Sequence, residues 1–572
     1  VGSYKLQKHT LGGIMKGEYY CAHLHMHSCF EGIASMEGHM YQAKQLGIDV
    51  IWFTDHDSRI GKKKDEVVHF DFEDEGLIEY NQATGASQGW KPIETEHSAV
   101  SEIGITNEKA YQGSRSMKMM AVADGTDGEW KTAGVMFFST AHRHVVSLLA
   151  RVSLKIACMV EALSDNDSRM IFDMKLSQRP PEHKHARLRY VIGNTEGLTE
   201  EHISVIPVSA DIGRWQELEF NLSKDAEKYP VGGLDNVFDT ISIVLQVRNE
   251  GKIQCYIDDF HIHYELAGEE ARAEQSRVAK IIGQKYGIIP YVGTEISAAG
   301  QHKNCFCTNV PIIDYHAKNY NVSHDEAIDW VKRHEGIFSL NHPFEHWKNI
   351  EVNDEERKKV LDEIANKYIA SKCDGASLIE IGFPVERAHF TLPYYLELWD
   401  RLSKNGIFIT GYGDSDNHTN HINWWDGNNF TAWIYAEEPT EENLIRSMKS
   451  GNVYTGDPAV FKGQLIFKTS EGHVMGQVVR VRKSDYVLIL ELSEIMEGWT
   501  IQWVADGIRK DKMITDKGCC RSEFCLSIKE DIHFVRVELY DEKGRCILLT
   551  NPIYFVKGEH IEIPKERETI IE

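Results

Sequence analysis

Three histidines at alternate positions, His23, His25 and His27 in the run YYCAHLHMHS, are the first residues in the chain that could do chemistry. Alternation puts all three on one face of an extended strand. The same HxH spacing recurs at His142/His144, His183/His185 and His261/His263, which read as surface or strand histidines, so the first set is distinguished by its company. Four further apolar runs end in side chains of the same kind: Asp55 and His56 in TDHD, Glu295 and His302 in GTEISAAGQH, His342 in NHP, and Asp416 with His418 in GDSDNH. Imidazole and carboxylate together suit Zn, Mn or Fe, and ligands spread over separate strand ends can converge as one helix motif cannot. The chemistry such a pocket supports is hydrolysis by metal-activated water. No serine-nucleophile signature is present, and no P-loop or GxGxxG opens a helix.

These residues must be positioned by the runs that carry them. Seven short apolar runs end in polar, chemically useful residues: YYCAHLHMHS, IDVIWFTDHD, IIPYVGTEIS, GIFSLNHP, ASLIEIGFP, GIFITGYGDSD and FTAWIYAEE. Amphipathic helical spacing separates most of them, around Met36 to Leu46, Glu269 to Tyr286, His324 to His334, Glu355 to Ile369, Tyr394 to Lys404 and Glu441 to Lys449. Alternating strands and helices predict an α/β fold with a parallel sheet, and seven such units predict a closed or nearly closed barrel, with reactive groups at the C-terminal strand ends.

The alternation breaks once, for almost two hundred residues between TDHD and the helix near Glu269. Short alternating runs from VVHFDFEDEG to KIQCYIDDFHIHYEL predict an inserted jelly-roll β-sandwich, similar to carbohydrate-binding modules, whose ends lie close together. Following the second strand directly, the insert should project from the catalytic face and could wall the site. Asp71, Glu73, Asp258 and Asp259 fall at its two ends and fit a structural Ca²⁺, although a hydrogen-bonded strand junction is the plainer account. Trp90, Trp130 and Trp215 could stack on sugars or fill the core. After SGNVYTGDP the texture is again β-rich, which predicts a small immunoglobulin-like sandwich. The expected divisions are 1–68 and 267–455 for the two barrel parts, 69–266 for the insert and 456–572 for the C-terminal sandwich.

A formal net charge of −24 argues against wrapping nucleic acid or an anionic membrane, while leaving room for a small anionic substrate drawn in by metal ions. No apolar run is long enough to span a bilayer. Eleven cysteines, an odd count without a framework, predict reduced thiols and a cytoplasmic location; removal of an N-terminal signal would make it secreted or periplasmic. Cys305 and Cys307 read as buried packing.

The His and carboxylate runs as a set resemble the motifs of the PHP (polymerase and histidinol phosphatase) superfamily, and GTEISAAGQH followed by NHP most resembles its CehA/McbA-type branch. The resemblance covers about residues 19 to 60 and 270 to 456. It implies a distorted TIM-like (β/α)7 barrel and two or three divalent transition metals. It lays His25, His27, Glu295 and Asp416 on one metal, Glu295, His302 and His342 on a second, and Glu31, His56 and His418 on a third. His23 stands where Asp or Asn is usual, which leaves it as a hydrogen-bonding neighbour or an added ligand. Glu295, Asp416, His302 and Asp55 are the expected catalytic residues, with Asp55 and Asp57 also read as groups that orient neighbours. Arg59, Lys303, His346 and Lys348 lie in loops suited to phosphate contacts, and Glu380 is either a substrate contact or a buried paired carboxylate. The implied activity is hydrolysis of a phosphoester of a small metabolite or sugar phosphate. An amide, carbamate or carboxylic ester hydrolase is the nearest alternative, and a glycan-binding protein with a non-catalytic barrel is another.

Overall fold

The computed structural model of the chain describes residues 17–30, 35–60, 68–74, 76–81, 86–139, 146–181, 184–228, 233–315, 317–318, 321–344, 353–382, 389–418 and 430–568. Each of the seven apolar runs contains a strand: Glu18–Met26, Val50–Phe53, Ile289–Val292 followed by Thr294–Ile296, Ser339–Leu340, Leu378–Gly382, Thr410–Gly413 and Thr431–Ala436. The helices Met36–Leu46, Gly268–Tyr286, His324–Arg333, Asp354–Ser371, Leu392–Lys404 and Glu441–Ser450 lie where the amphipathic spacing put them. Their ends follow local chemistry. Ser35 Oγ accepts from the Gly38 N–H to start the first, and Gly47 closes it with φ 79°, a conformation that only glycine adopts freely.

The strands form two parallel groups. Ile289–Val292, Val50–Phe53 and Glu18–Met26 make one, and Ser339–Leu340, Leu378–Gly382 and Thr410–Gly413 the other. Two expectations need correction. Thr431–Ala436 pairs antiparallel with Glu18–Met26. Among the described residues, moreover, continuous ladders do not close a barrel: single bridges, Met26 to Asn417 on one side and His56 to Glu295 and Cys305 to Phe338 on the other, link the two groups. The strands of the second group are only two to five residues long, and the chain turns out of the sheet at His342 (φ 28°) and Asp416 (φ 49°). Those turns deliver the chemical side chains.

The stretch between Ile60 and Gly268 folds as two facing antiparallel sheets, apart from one parallel pair, Lys184–Gly193 with Ile203–Pro207. Its entry strand, Val68–Phe70, pairs with its exit strand, Lys252–Tyr264. Trp90 is buried between Phe137 and Phe260, so it is core and not a sugar platform. Trp130 lies between the guanidinium groups of Arg169 and Arg248, at 3.9 and 4.6 Å. The insert packs on the α/β part through Asp235, which accepts from the Glu37 N–H at 2.9 Å, and through Ser147, whose hydroxyl donates to Cys29 Sγ at 3.2 Å.

The C-terminal sandwich is not hydrogen-bonded as a separate body. Strand Val453–Gly456, through which the expected boundary runs, pairs with Thr431–Ala436 on one side and Cys546–Thr550 on the other, so one eleven-stranded sheet crosses from the α/β part into the sandwich. Arg536, almost fully buried, adds a bidentate pair to Asp400 at 2.8 and 2.7 Å. All eleven cysteines are free thiols, and no described helix is long and apolar enough to cross a membrane.

Candidate metal centre

Strand ends from both parallel groups meet at Glu295. Its carboxylate oxygens lie 3.5 Å from His25 Nε2, 3.6 Å from His27 Nε2, 3.2 Å from His56 Nε2, 3.1 Å from His302 Nδ1 and 3.3 Å from His342 Nε2. Asp416 Oδ1 lies 3.2 Å from His25 Nε2 and 2.8 Å from His27 Nε2. His418 stacks on His27 with ring centroids 3.9 Å apart, and its Nδ1 meets the Asp416 carbonyl at 2.9 Å. A carbonyl can only accept, so Nδ1 carries the proton and Nε2 keeps its lone pair.

Ligand atoms come within 4.8 Å of one another in the sets His25, His27, Glu295 and Asp416; His56, Glu295 and His302; and His27, His56 and His418. The first set is the one implied for one metal. The others regroup the remainder: His56 joins Glu295 and His302, while His342 approaches Glu295 without belonging to a close-set group. Glu31 and His346 lie outside the described residues, as do Lys348, His142, His144 and His183.

This donor set fits divalent transition metals. Glu295 Oε2 is buried and accepts no hydrogen bond, although two imidazole nitrogens stand within 3.6 Å of it. A buried carboxylate oxygen left in that state is costly unless a cation takes the place of the missing donor.

The electrostatics agree. Burial opposes charge on His25, but Asp416, Glu295 and Glu380 outweigh it and hold the imidazole well above its ordinary range. Burial also works against ionisation of Glu295, yet His25 and His56 keep its carboxyl well below the usual range. Burial and then His418 push His27 well down, and burial lowers His56 to about 4. Both remain neutral ligands at physiological pH. His302, His56 and His418 are 26, 17 and 27 % exposed, whereas His25, His27, Glu295 and His342 are at most 3 % exposed, so the cluster opens to solvent on the side of the first three.

Several expected roles change. Asp55 does not reach the cluster: its Oδ1 accepts from the Ser28 N–H at 2.7 Å and its Oδ2 from Gln275 Nε2 at 2.5 Å. It therefore ties the ends of the first two strands to the helix Gly268–Tyr286, and burial raises its pKa to about 6. Lys303 is not a phosphate contact. Fully buried, it donates to the carbonyls of Gln301 (2.5 Å) and Ala299 (3.4 Å), with its pKa lowered by burial to about 8. Lys303 is the first residue of a three-residue hairpin strand, and its ammonium folds back onto the loop that precedes it, which sequence alone does not reveal. Glu380 is no substrate contact either; it is buried against His25 Nδ1 (2.6 Å), the His342 N–H and the Tyr412 hydroxyl (3.1 Å). Arg59 is half-buried beside Phe30 and Tyr264, against the insert. His23 Nε2 meets Ser415 Oγ at 2.8 Å and belongs to none of the close-set groups, so hydrogen bonding is its role.

The four carboxylates at the ends of the insert do not gather round one ion. Glu73 accepts from the Ser114 and Arg115 N–H groups, Asp258 from those of Tyr111 and Gln112, and Asp71 from that of Glu73. Glu73 and Asp258 staple the 111–115 loop, as the plainer account of a strand junction has it.

Three contributors escaped the sequence reading. Asn341 Nδ2 donates to Glu295 Oε1 at 2.8 Å, and its place in the NHP run beside His342 was an available signal. Asp414, in the GDSD run, is buried with Glu380 and His25, and burial followed by Glu380 pushes its pKa well up. Gln275 is a fully buried polar residue on a helix face otherwise formed by Ala271, Val278, Ala279 and Ile282.

No family model matches the chain, and no curated protein matches it. Among solved structures it is similar to a two-domain protein of Bacteroides vulgatus containing a predicted PHP-like metal-dependent phosphoesterase, at 14% identity, covering 48% of this chain and 78% of that one, with a TM-score of 0.26. It is also similar to a promiscuous carbohydrate-binding module of the β-sandwich superfamily, at 15% identity over 35% of this chain and 62% of that one, less than two thirds of its length, with a TM-score of 0.20. A third is the xylan-binding domain CBM22-1 of Paenibacillus barcinonensis Xyn10C, at 13% identity over 36% of this chain and 99% of that domain, with a TM-score of 0.18.

Proposed function

We propose that the chain is a metal-dependent hydrolase of PHP type, in an incompletely closed α/β barrel whose motifs are nearest the CehA/McbA branch, and that it cleaves a phosphoester of a small metabolite or sugar phosphate. The observation that carries this reading is the convergence of five imidazole nitrogens to between 3.1 and 3.6 Å of one buried carboxylate, Glu295. Held between strand ends of two sheets, such an array has no role in a fold that needs only packing. His25, His27, Glu295 and Asp416 would hold one cation, and His56, Glu295 and His302, with His342 beside them, a second; the set His27, His56 and His418 offers a third position. Bound there, divalent cations supply a Lewis acid for the electrophile and bring the pKa of water toward neutrality.

The protein's own groups set the geometry. Glu380 and Asn341 orient His25 and Glu295, and Asp55 holds the two strand ends that carry His27 and His56. His302 and His418, half-exposed, stand where a substrate oxygen enters and can exchange a proton with it. With Lys303 turned inward, charge on a phosphate would be met by the cations and these imidazoles. The Mn- or Zn-loaded protein is expected to hydrolyse p-nitrophenyl phosphate or its bis ester; activity on p-nitrophenyl acetate alone would replace phosphoester by ester or amide chemistry, and no activity with fully loaded sites would leave a binding protein.

A further inference from the structure

A second imidazole and carboxylate cluster lies on the insert, away from the centre at Glu295. His69, on the entry strand Val68–Phe70, is the direct cross-strand partner of His261 on the exit strand Lys252–Tyr264. Asp259 precedes His261 by two positions and shares its face of the strand. Its Oδ1 lies 3.0 Å from His69 Nε2 and 2.8 Å from His261 Nε2, and the two rings stack at 4.2 Å with 9° between their planes. All three ligand atoms fall within 4.8 Å of one another.

The backbone is shaped around this cluster. Register between the exit strand and Val152–Leu163 shifts where Lys155 and Ala157 face His261 and Asp258, so an extra residue bulges from the exit strand there. Asp259 has φ 48°, a left-handed conformation in mid-strand that Asp accepts more readily than most L residues. The bulge turns Asp258 toward the 111–115 loop and Asp259 toward the histidines. Hydrogen bonding by a solvent-accessible aspartate needs no such distortion. Three donors on one face, two imidazoles and a carboxylate with 45, 24 and 15 % exposure for His69, His261 and Asp259, leave the remaining positions of a cation open to water.

We propose that His69, Asp259 and His261 form a divalent transition-metal site that clasps the entry and exit strands of the inserted sandwich. The entry strand has only three residues and leads out of the His56 loop, so a clasp there fixes the insert where it leaves the catalytic part. It is independent of the function proposed for Glu295 and its neighbours.

The test uses the full chain, stripped of metal, loaded with Zn²⁺ and desalted into metal-free buffer. Wild type is expected to retain one more zinc ion per chain than the His69→Gln/His261→Gln double variant, by elemental analysis, with hydrolysis of p-nitrophenyl phosphate unchanged between them. Asp259→Asn, which tolerates the left-handed backbone, serves as a second comparison and should retain the lower number. Zn²⁺ should slow amide hydrogen exchange across 68–70 and 259–262 in wild type and not in the variants. Equal zinc content in wild type and variants, or zinc-dependent protection that persists in them, overturns the proposal whatever the activity of the central site.

Discussion

Nδ1 of His25 lies 2.6 Å from Oε1 of Glu380, two fully buried groups on strands of different parallel groups. An ionised carboxylate can only accept, so Nδ1 carries a proton, and a cation held between Nε2, Glu295 and Asp416 would displace the second proton that those carboxylates favour on the ring. Burial and then Glu380 push the Asp414 pKa well up. One hydrogen bond thereby sets the direction of the imidazole at the centre of the cluster.

Glu380→Gln should weaken metal binding about 10- to 100-fold while leaving the fold intact. Equilibrium dialysis against Zn²⁺ or Mn²⁺ reads this. Unchanged affinity would mean that Glu380 does not govern His25.

Chelation should abolish hydrolysis, and Mn²⁺ or Zn²⁺ should restore it. Glu295→Ala should not be restored, because the one carboxylate that all five imidazoles share is gone. Several kcal/mol of lost stabilisation corresponds to a fall of at least about 100-fold in kcat. Steady-state assays of metal-reloaded variant and wild type check it.

Lys303→Met should lower kcat by loosening the loop that ends at His302, with KM for an anionic substrate held within about twofold, since the ammonium bonds loop carbonyls and not substrate. A large rise in KM alone would return Lys303 to the substrate.

Arg536 lies between Asp400 and Glu538, and Arg536→Met should cost about 3–5 kcal/mol by taking the bidentate partner from Asp400 and leaving Glu538 only Tyr540 and Arg509. Burial opposes ionisation of Glu538, but Arg536 and Tyr540 outweigh it and hold its pKa below the usual range. A lowered folded-state pKa stabilises above the unfolded value of about 4.3, and that stability is lost as pH falls through the folded value. Denaturation midpoints should therefore fall more steeply with acid in wild type than in Glu538→Gln. Burial raises Asp400 in the opposite sense and Glu538 adds to that rise, so the Asp400 change in Glu538→Gln offsets part of the difference.

What the sequence determined by itself was local: period two in HLHMH, apolar runs ending in ligands, and helices bounded by Ser35, Gly47, Gly287 and Gly451. These depend on side-chain periodicity and backbone preference within a few residues, so seven strand-bearing runs and the histidines and carboxylates at their ends were legible. Tertiary structure decided what depends on distant partners. Whether Glu380 met substrate or His25 turned on strands more than thirty residues away. Likewise His69 and Asp259 are 190 positions apart, and only strand pairing and a bulge bring an imidazole and a carboxylate together across that separation.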